Sequence, residues 1–205
     1  MEGVEPHAVP YSYPLRPHRR RHGPSGYATY ENYRPWLEDE FTFRCVYCLK
    51  RMVWAPTDIW TIDHVISQDE DAELRCDYDN LVLACQFCNQ RKSFHRVADP
   101  CQVAYGFCLR VESTGFVTPL NAKGIRLVST IRLNHPHYVA ERLKTLRHLR
   151  AIAQVDPGEF ERLMGFPTNL PDLSTLKPPR GNRRPKGISE SCFARSMRGE
   201  LPTTY

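Results

Sequence analysis

The chain has 205 residues, 41% hydrophobic and 25% charged, with a net charge of +5. Such values suit one sizeable globular domain, or a small domain with extensions, and argue against a disordered chain. No apolar run approaches the ~18 residues that a membrane-spanning helix needs, which argues against a membrane protein. The N-terminus is polar and Pro-rich, without the apolar stretch of a secretory signal, so a cytoplasmic location is expected.

Charge is unevenly spread. Residues 1–30 carry four Arg against two Glu, and residues 171–205 carry seven Lys/Arg against three Asp/Glu. The stretch between them is close to neutral. Basic ends around a neutral body suit either contact with a polyanion or a solubilising role. Residues 1–28 hold Pro6, Pro10, Pro14, Pro17 and Pro24 and the run Arg16-Pro-His-Arg-Arg-Arg-His22, which predicts a disordered or extended arm.

Pro35 suits the first turn of a short helix reaching Glu40. Met52–Trp54 and Ile59–Ile62 are apolar, β-prone runs separated by Ala55-Pro-Thr-Asp58, a pattern that predicts a hairpin. Residues 67–79 form an acidic loop, and Leu81–Leu83 is a short apolar run. A helix is predicted from Cys85 to about Phe94, ended by Asp99-Pro100. Residues 101–133 mix apolar runs with turns at Gly115 and Gly124, with some strand content. A second helix opens at His135-Pro136, with Val139, Leu143, Leu146, Leu149 and Ile152 inward and Arg142, Lys144, Arg147 and Arg150 outward. Asp156-Pro157 opens a short helix carrying Phe160, Leu163 and Met164. From Pro171 the composition predicts a flexible basic tail. The domains expected are the arm (1–28), a small module (29–98), a mixed α/β extension (99–170) and the tail (171–205). The fold class is α+β.

Cysteine spacing is the sharpest signal. Of eight cysteines, four form two C-x-x-C pairs, Cys45/Cys48 and Cys85/Cys88, separated by 36 residues. Two such pairs in an intracellular chain point to a structural, tetrahedral zinc site rather than disulfides. Cys76, Cys101, Cys108 and Cys192 lack this spacing and read as buried small residues or free thiols.

The residues between and after these pairs are Asp63-His64 at a strand end, Asn80-Leu81, and Asn89 and Lys92 on the following helix. In that order, inside the double C-x-x-C frame, residues 34–95 resemble the HNH endonuclease family, whose fold is a small ββα-metal module. The stretch from Gly115–Pro119 through Ile131–Pro136 also resembles an extension that follows such domains in some bacterial proteins. The resemblance implies hydrolysis of DNA phosphodiester bonds. His64 would be the general base, and Asp63 and Asn89 would hold a catalytic Mg²⁺ or Mn²⁺. Asn80 would orient His64, and Arg91 and Lys92 would contact phosphates. Those roles match the chemistry, which needs an activated water and a Lewis acid beside the phosphate.

Two features depart from the family's pattern. Ser67 stands three residues after His64, where many members have Pro. The loop beyond it is acidic (Asp69, Glu70, Asp71, Glu73). His95 reads as a surface residue. Three other readings stay open: a zinc-containing nucleic-acid-binding module without catalysis, an effector subunit activated by a protein partner or as a homodimer, and RNA as the substrate.

Overall fold

The structure is a computed structural model that describes residues 9–205. The first part of the predicted arm, including Pro6, lies outside the described residues. Helices and two small antiparallel sheets make an α+β architecture. No helix among the described residues is long and apolar enough to cross a membrane.

The centre is a ββα unit. Strand β1 (Trp60–His64) pairs antiparallel with β2 (Leu81–Cys85), with Ile62 opposite Leu83 and His64 opposite Leu81. All five β2 residues are buried, since one face meets α1 (Arg34–Glu40) and the other α2 (Gln86–Lys92), which starts directly from Cys85. The hairpin partner of β1 is therefore β2 and not Met52–Trp54. That apolar run forms a 3₁₀ turn. It follows Arg51, whose buried guanidinium donates to the carbonyls of Met164 and Tyr205 and so pins the segment elsewhere.

Beyond the unit, β3 (Leu109–Val111) and β4 (Val117–Pro119) form a short hairpin. Helix α3 (Ala122–Ile131) follows, capped by Asn121, whose side chain accepts from the Gly124 N–H. Gly124 lets this turn close, because a Cβ there would lie 2.0 Å from the Cys108 carbonyl oxygen. Helix α4 (Pro136–Val155) starts on Pro136 as the sequence predicts, and Asp156 caps α5 (Pro157–Met164). Leu149 packs with Phe160 and Met164 in a satellite core. Arg142 differs from its predicted outward face. It is 5% exposed and its guanidinium caps the carbonyls of Gly115 and Leu133. Its long stem crosses apolar surface while its head takes two acceptors that would otherwise be buried without donors.

Residues 9–28 form an extended arm, one of the two forms expected, and both they and residues 171–205, expected as a flexible tail, pack on the body. The reason is charge. Tyr11, Tyr13 and His22 are buried, and His22 Nε2 lies 2.7 Å from Asp39 Oδ2. Arg21 also pairs with Asp39. The tail returns beside the arm, where Gly187 sits so close that a Cβ would lie 1.9 Å from the Arg21 carbonyl oxygen. Arg184 then pairs with Asp79 at 2.9 and 3.0 Å, and Arg183 reaches Asp77 and Asp79 at 3.3 and 3.2 Å. In the last helix, α6 (Cys192–Met197), the first N–H donates to Asp39 Oδ1. Much of the basic excess therefore offsets buried or half-buried carboxylates within the chain.

Glu40 sits at the centre of this network, 1% exposed. It accepts from the His18 ring, the N–H groups of Arg21 and His22 and the Tyr78 hydroxyl, all at 2.8–3.0 Å. Burial alone would raise its carboxyl. The His18 ring and the Arg21 N–H outweigh that and hold it at about 2, against an ordinary 4.5. A depressed carboxyl contributes stability that is complete above its unfolded value and disappears as pH falls through the folded one. The loss thus lies between about 4.5 and about 2. Glu40→Gln is expected to cost about 3 kcal/mol at neutral pH. It should also flatten the acid limb of a urea-stability profile, whereas an unchanged profile would show that these donors do not stabilise the anion.

Candidate active site and metal centre

The C-x-x-C pairs converge. Cys45 and Cys48 lie on a turn closed by the Leu49 N–H to the Cys45 carbonyl and the Cys45 N–H to the Lys50 carbonyl. Leu49 takes φ +62° to make this turn. Cys85 ends β2 and Cys88 lies in the first turn of α2. The four sulfurs all lie within 4.8 Å of one another, with Cys48 and Cys85 3.8 Å apart. Tetrahedral zinc with ~2.3 Å bonds requires sulfurs about 3.8 Å apart, so the donor set fits that ion. The acid–base balance agrees. Hydrogen bonds from the other three thiols hold the Cys48 sulfur well below the usual thiol range. Burial pushes Cys45 far up, and the neighbouring sulfurs do the same to Cys88. A bound zinc ion would hold all four sulfurs as thiolates, since metal binding displaces the thiol protons.

On α2, Asn89 and Lys92 are three residues apart and share one face, which lies on β1. The Asn89 Nδ2 donates to Thr61 Oγ1 at 3.1 Å and, more weakly, to the Ile62 carbonyl at 3.4 Å. A carbonyl only accepts, so Nδ2 must face it and Oδ1 must point away. Lys92 is fully buried, and its ammonium donates to Asp63 Oδ1 at 3.2 Å and to the His64 carbonyl at 2.6 Å. Its expected phosphate contact is therefore corrected: Lys92 has no surface to offer and braces the Asp63-His64 strand end from beneath. Arg91, on the opposite side of the helix, is exposed, with its guanidinium 5.2 Å above the Phe87 ring.

Asp63 is 3% exposed. Its Oδ2 accepts from the Tyr47 hydroxyl at 2.5 Å. Burial pushes its carboxyl up, against the pull of Lys92 and Tyr47. Lys92→Met would leave this carboxylate buried beside one hydroxyl. The expected cost is about 3–5 kcal/mol, read from urea denaturation, with Asp63→Asn recovering part of it in the double variant. Independent, additive losses would show that the two side chains do not act as a pair.

His64 turns to the other side of the strand. Its ring meets the Tyr30 ring edge-on, centroids 4.8 Å apart, and its Nε2 lies 2.9 Å from the Arg75 carbonyl. That oxygen only accepts, so Nε2 carries a proton; in the neutral ring the lone pair then lies on Nδ1. Asn80 works through the loop. Its Oδ1 accepts from the Ile66 N–H, and its Nδ2 donates to the carbonyls of Ile66 and Leu74. These bonds tie down both ends of the segment that presents the Arg75 carbonyl to His64. The acidic loop has structural partners too. Asp71 caps a 3₁₀ turn and Glu70 pairs with Arg96. His95 is exposed.

Tyr47 and the Arg75 carbonyl are absent from the sequence reading. Tyr47 lies inside the first C-x-x-C and leaves a signal only once β1 is placed over it. A backbone carbonyl leaves none.

A family model described as HNH endonuclease matches residues 45–95. The chain carries an HNH endonuclease domain over these residues, with four cysteines placed to hold a metal ion. A search of curated proteins finds no match.

Proposed function

We propose that the HNH endonuclease domain of this chain is a metal-dependent endonuclease that hydrolyses DNA phosphodiester bonds with His64 as its general base. The observation that carries this reading is the His64 tautomer. With Nε2–H committed to the Arg75 carbonyl at 2.9 Å, the only basic lone pair on the ring is at Nδ1. A neutral imidazole held in one tautomer by a carbonyl can take the proton from an attacking water.

The remaining residues divide the work. Asp63 and Asn89 offer hard oxygens, a carboxylate and an amide Oδ1 that faces away from Ile62, and that donor set fits Mg²⁺ or Mn²⁺. Each Asp63 oxygen accepts one hydrogen bond and retains a second lone pair. Such an ion, when bound, supplies a Lewis acid beside the scissile phosphate. Lys92 and Tyr47 fix the Asp63 carboxylate in place. Asn80 keeps the His64 ring aimed by holding the loop that ends at Arg75. The four-cysteine cluster, with zinc, clamps β2 and α2 to the turn that carries Tyr47, and so holds the donors in register.

The test is plasmid relaxation by the zinc-loaded chain. Cleavage is expected with added Mg²⁺ or Mn²⁺ and not without either. Nicking at the same rate in the absence of both ions would sink the reading.

A further inference from the structure

We propose that the groove between α2 and the C-terminal end of α3 holds the phosphate backbone of the nucleic acid. This rests on the nuclease reading and extends it to residues outside the HNH match.

The groove encloses about 430 Å³ and is lined by Gln90, Arg91, His95, Ser129, Thr130 and Arg132. No carboxylate is among them. Every one of these side chains can donate a hydrogen bond, and two are permanent cations, the composition that phosphate contacts use. The cations of the groove have no counter-charge within it. Arg21, Arg96, Arg183 and Arg184 each have a carboxylate partner. Neither Arg91 nor Arg132 has one among the described residues; Arg91 has only the Phe87 face beneath it. Two guanidiniums that share a cleft without a counter-charge favour an anion between them.

Arg132 gives an independent argument. It is the C-cap of α3 and adopts φ +53°, ψ +44°, with its N–H donating to the Val128 carbonyl. A helix end in this left-handed conformation favours glycine, because a Cβ is strained there. The backbone therefore favours a residue with no side chain, yet the chain carries a long cationic one aimed at the groove. Backbone conformation therefore does not favour this side chain, and its cationic head is free to serve the groove.

The two requirements can be separated by experiment. Binding of a labelled DNA duplex by the zinc-loaded full chain is measured as a function of salt, without added Mg²⁺ or Mn²⁺ so that the duplex stays intact. Arg91→Ala and Arg132→Ala are each expected to weaken binding several-fold at low salt. Each should also lower the slope of log K against log salt by about 0.9, the value for one lost phosphate contact. Arg132→Gly should lose the same contact yet melt at or above the parent's temperature, while Arg132→Lys should retain the slope. Inorganic phosphate at matched ionic strength should not displace the duplex; displacement would overturn a backbone track in favour of a site for a single free anion. If the parent binds and cuts DNA while all these variants keep its affinity and slope, the groove assignment is overturned and the nuclease stands. A parent that neither binds nor cuts overturns both.

Discussion

Stripping the four-cysteine site with a strong chelator is expected to abolish the cooperative melting of the chain, not merely to lower its midpoint. The reason lies in how little else holds the central unit. Its sheet has two strands of five residues, and a two-stranded sheet is at best marginally stable alone. The helix that completes it spans only Gln86–Lys92, too short to persist unaided. The cluster joins the turn after Arg44 to the junction of β2 and α2, so it closes the whole 36-residue interval between the pairs. Structural zinc contributes ~10–16 kcal/mol of apparent binding energy, as much as or more than the ~5–15 kcal/mol net stability of a typical domain. Cys85→Ser should behave like the chelated protein, losing both bound zinc and the melting transition. Cys76→Ser is the control. That thiol is half-buried with one long contact, to the Ala28 carbonyl at 3.5 Å, and its replacement should leave both unchanged. Metal content and thermal melting, measured on the same samples, decide it. A full transition in protein with no bound metal would remove the zinc from the account of the fold.

The parts of this architecture that were legible in the sequence are those fixed by local spacing. The C-x-x-C pairs predicted a four-sulfur cluster because two sulfurs per turn are set by three peptide bonds. Pro136 and Asp156 mark helix starts through their own backbone preferences, whereas α3, with Gly124 in its first turn where the sequence predicts a loop turn, escapes the sequence reading. Lys92 could have been read the same way: three residues from Asn89, it must share that side chain's face and so point at β1, while Arg91 points away. What escaped is non-local. Met52–Trp54 has the composition of a strand, but whether it pairs depends on Arg51, which is tied to carbonyls more than a hundred residues later. The helical period placed Arg142 outward, yet the carbonyls of Gly115 and Leu133 draw its head inward. The arm and tail show the same limit. Their Pro and Arg content resembles that of mobile chain, and only the placement of Asp39, Glu40, Asp77 and Asp79 reveals what the arginines answer. At the end of the acidic loop Asp77 and Asp79 take up the tail arginines, while Glu70 pairs with Arg96.

Replacing His64 by alanine is expected to lower the single-turnover rate of plasmid cleavage by about 10²–10⁴-fold, the usual contribution of a positioned general base, while leaving DNA affinity near that of the parent. The affinity should hold because the ring is 7% exposed and occupied by Tyr30 and the Arg75 carbonyl, so it makes little surface for a ligand. Loss of the ring also leaves the Arg75 carbonyl without its donor, which could disturb the loop and mimic a chemical defect. Added imidazole separates the two. It can enter the space left by the missing side chain and present a basic nitrogen, so partial recovery of the rate marks a base, whereas a collapsed loop would not respond. Asn80→Ala supplies the complementary case. It leaves the ring in place but releases the Ile66 and Leu74 carbonyls, so its rate should fall through misalignment of His64, and imidazole should not restore it. If His64→Ala cut as fast as the parent, the proton would be leaving the water by another route and His64 would be a structural residue alone.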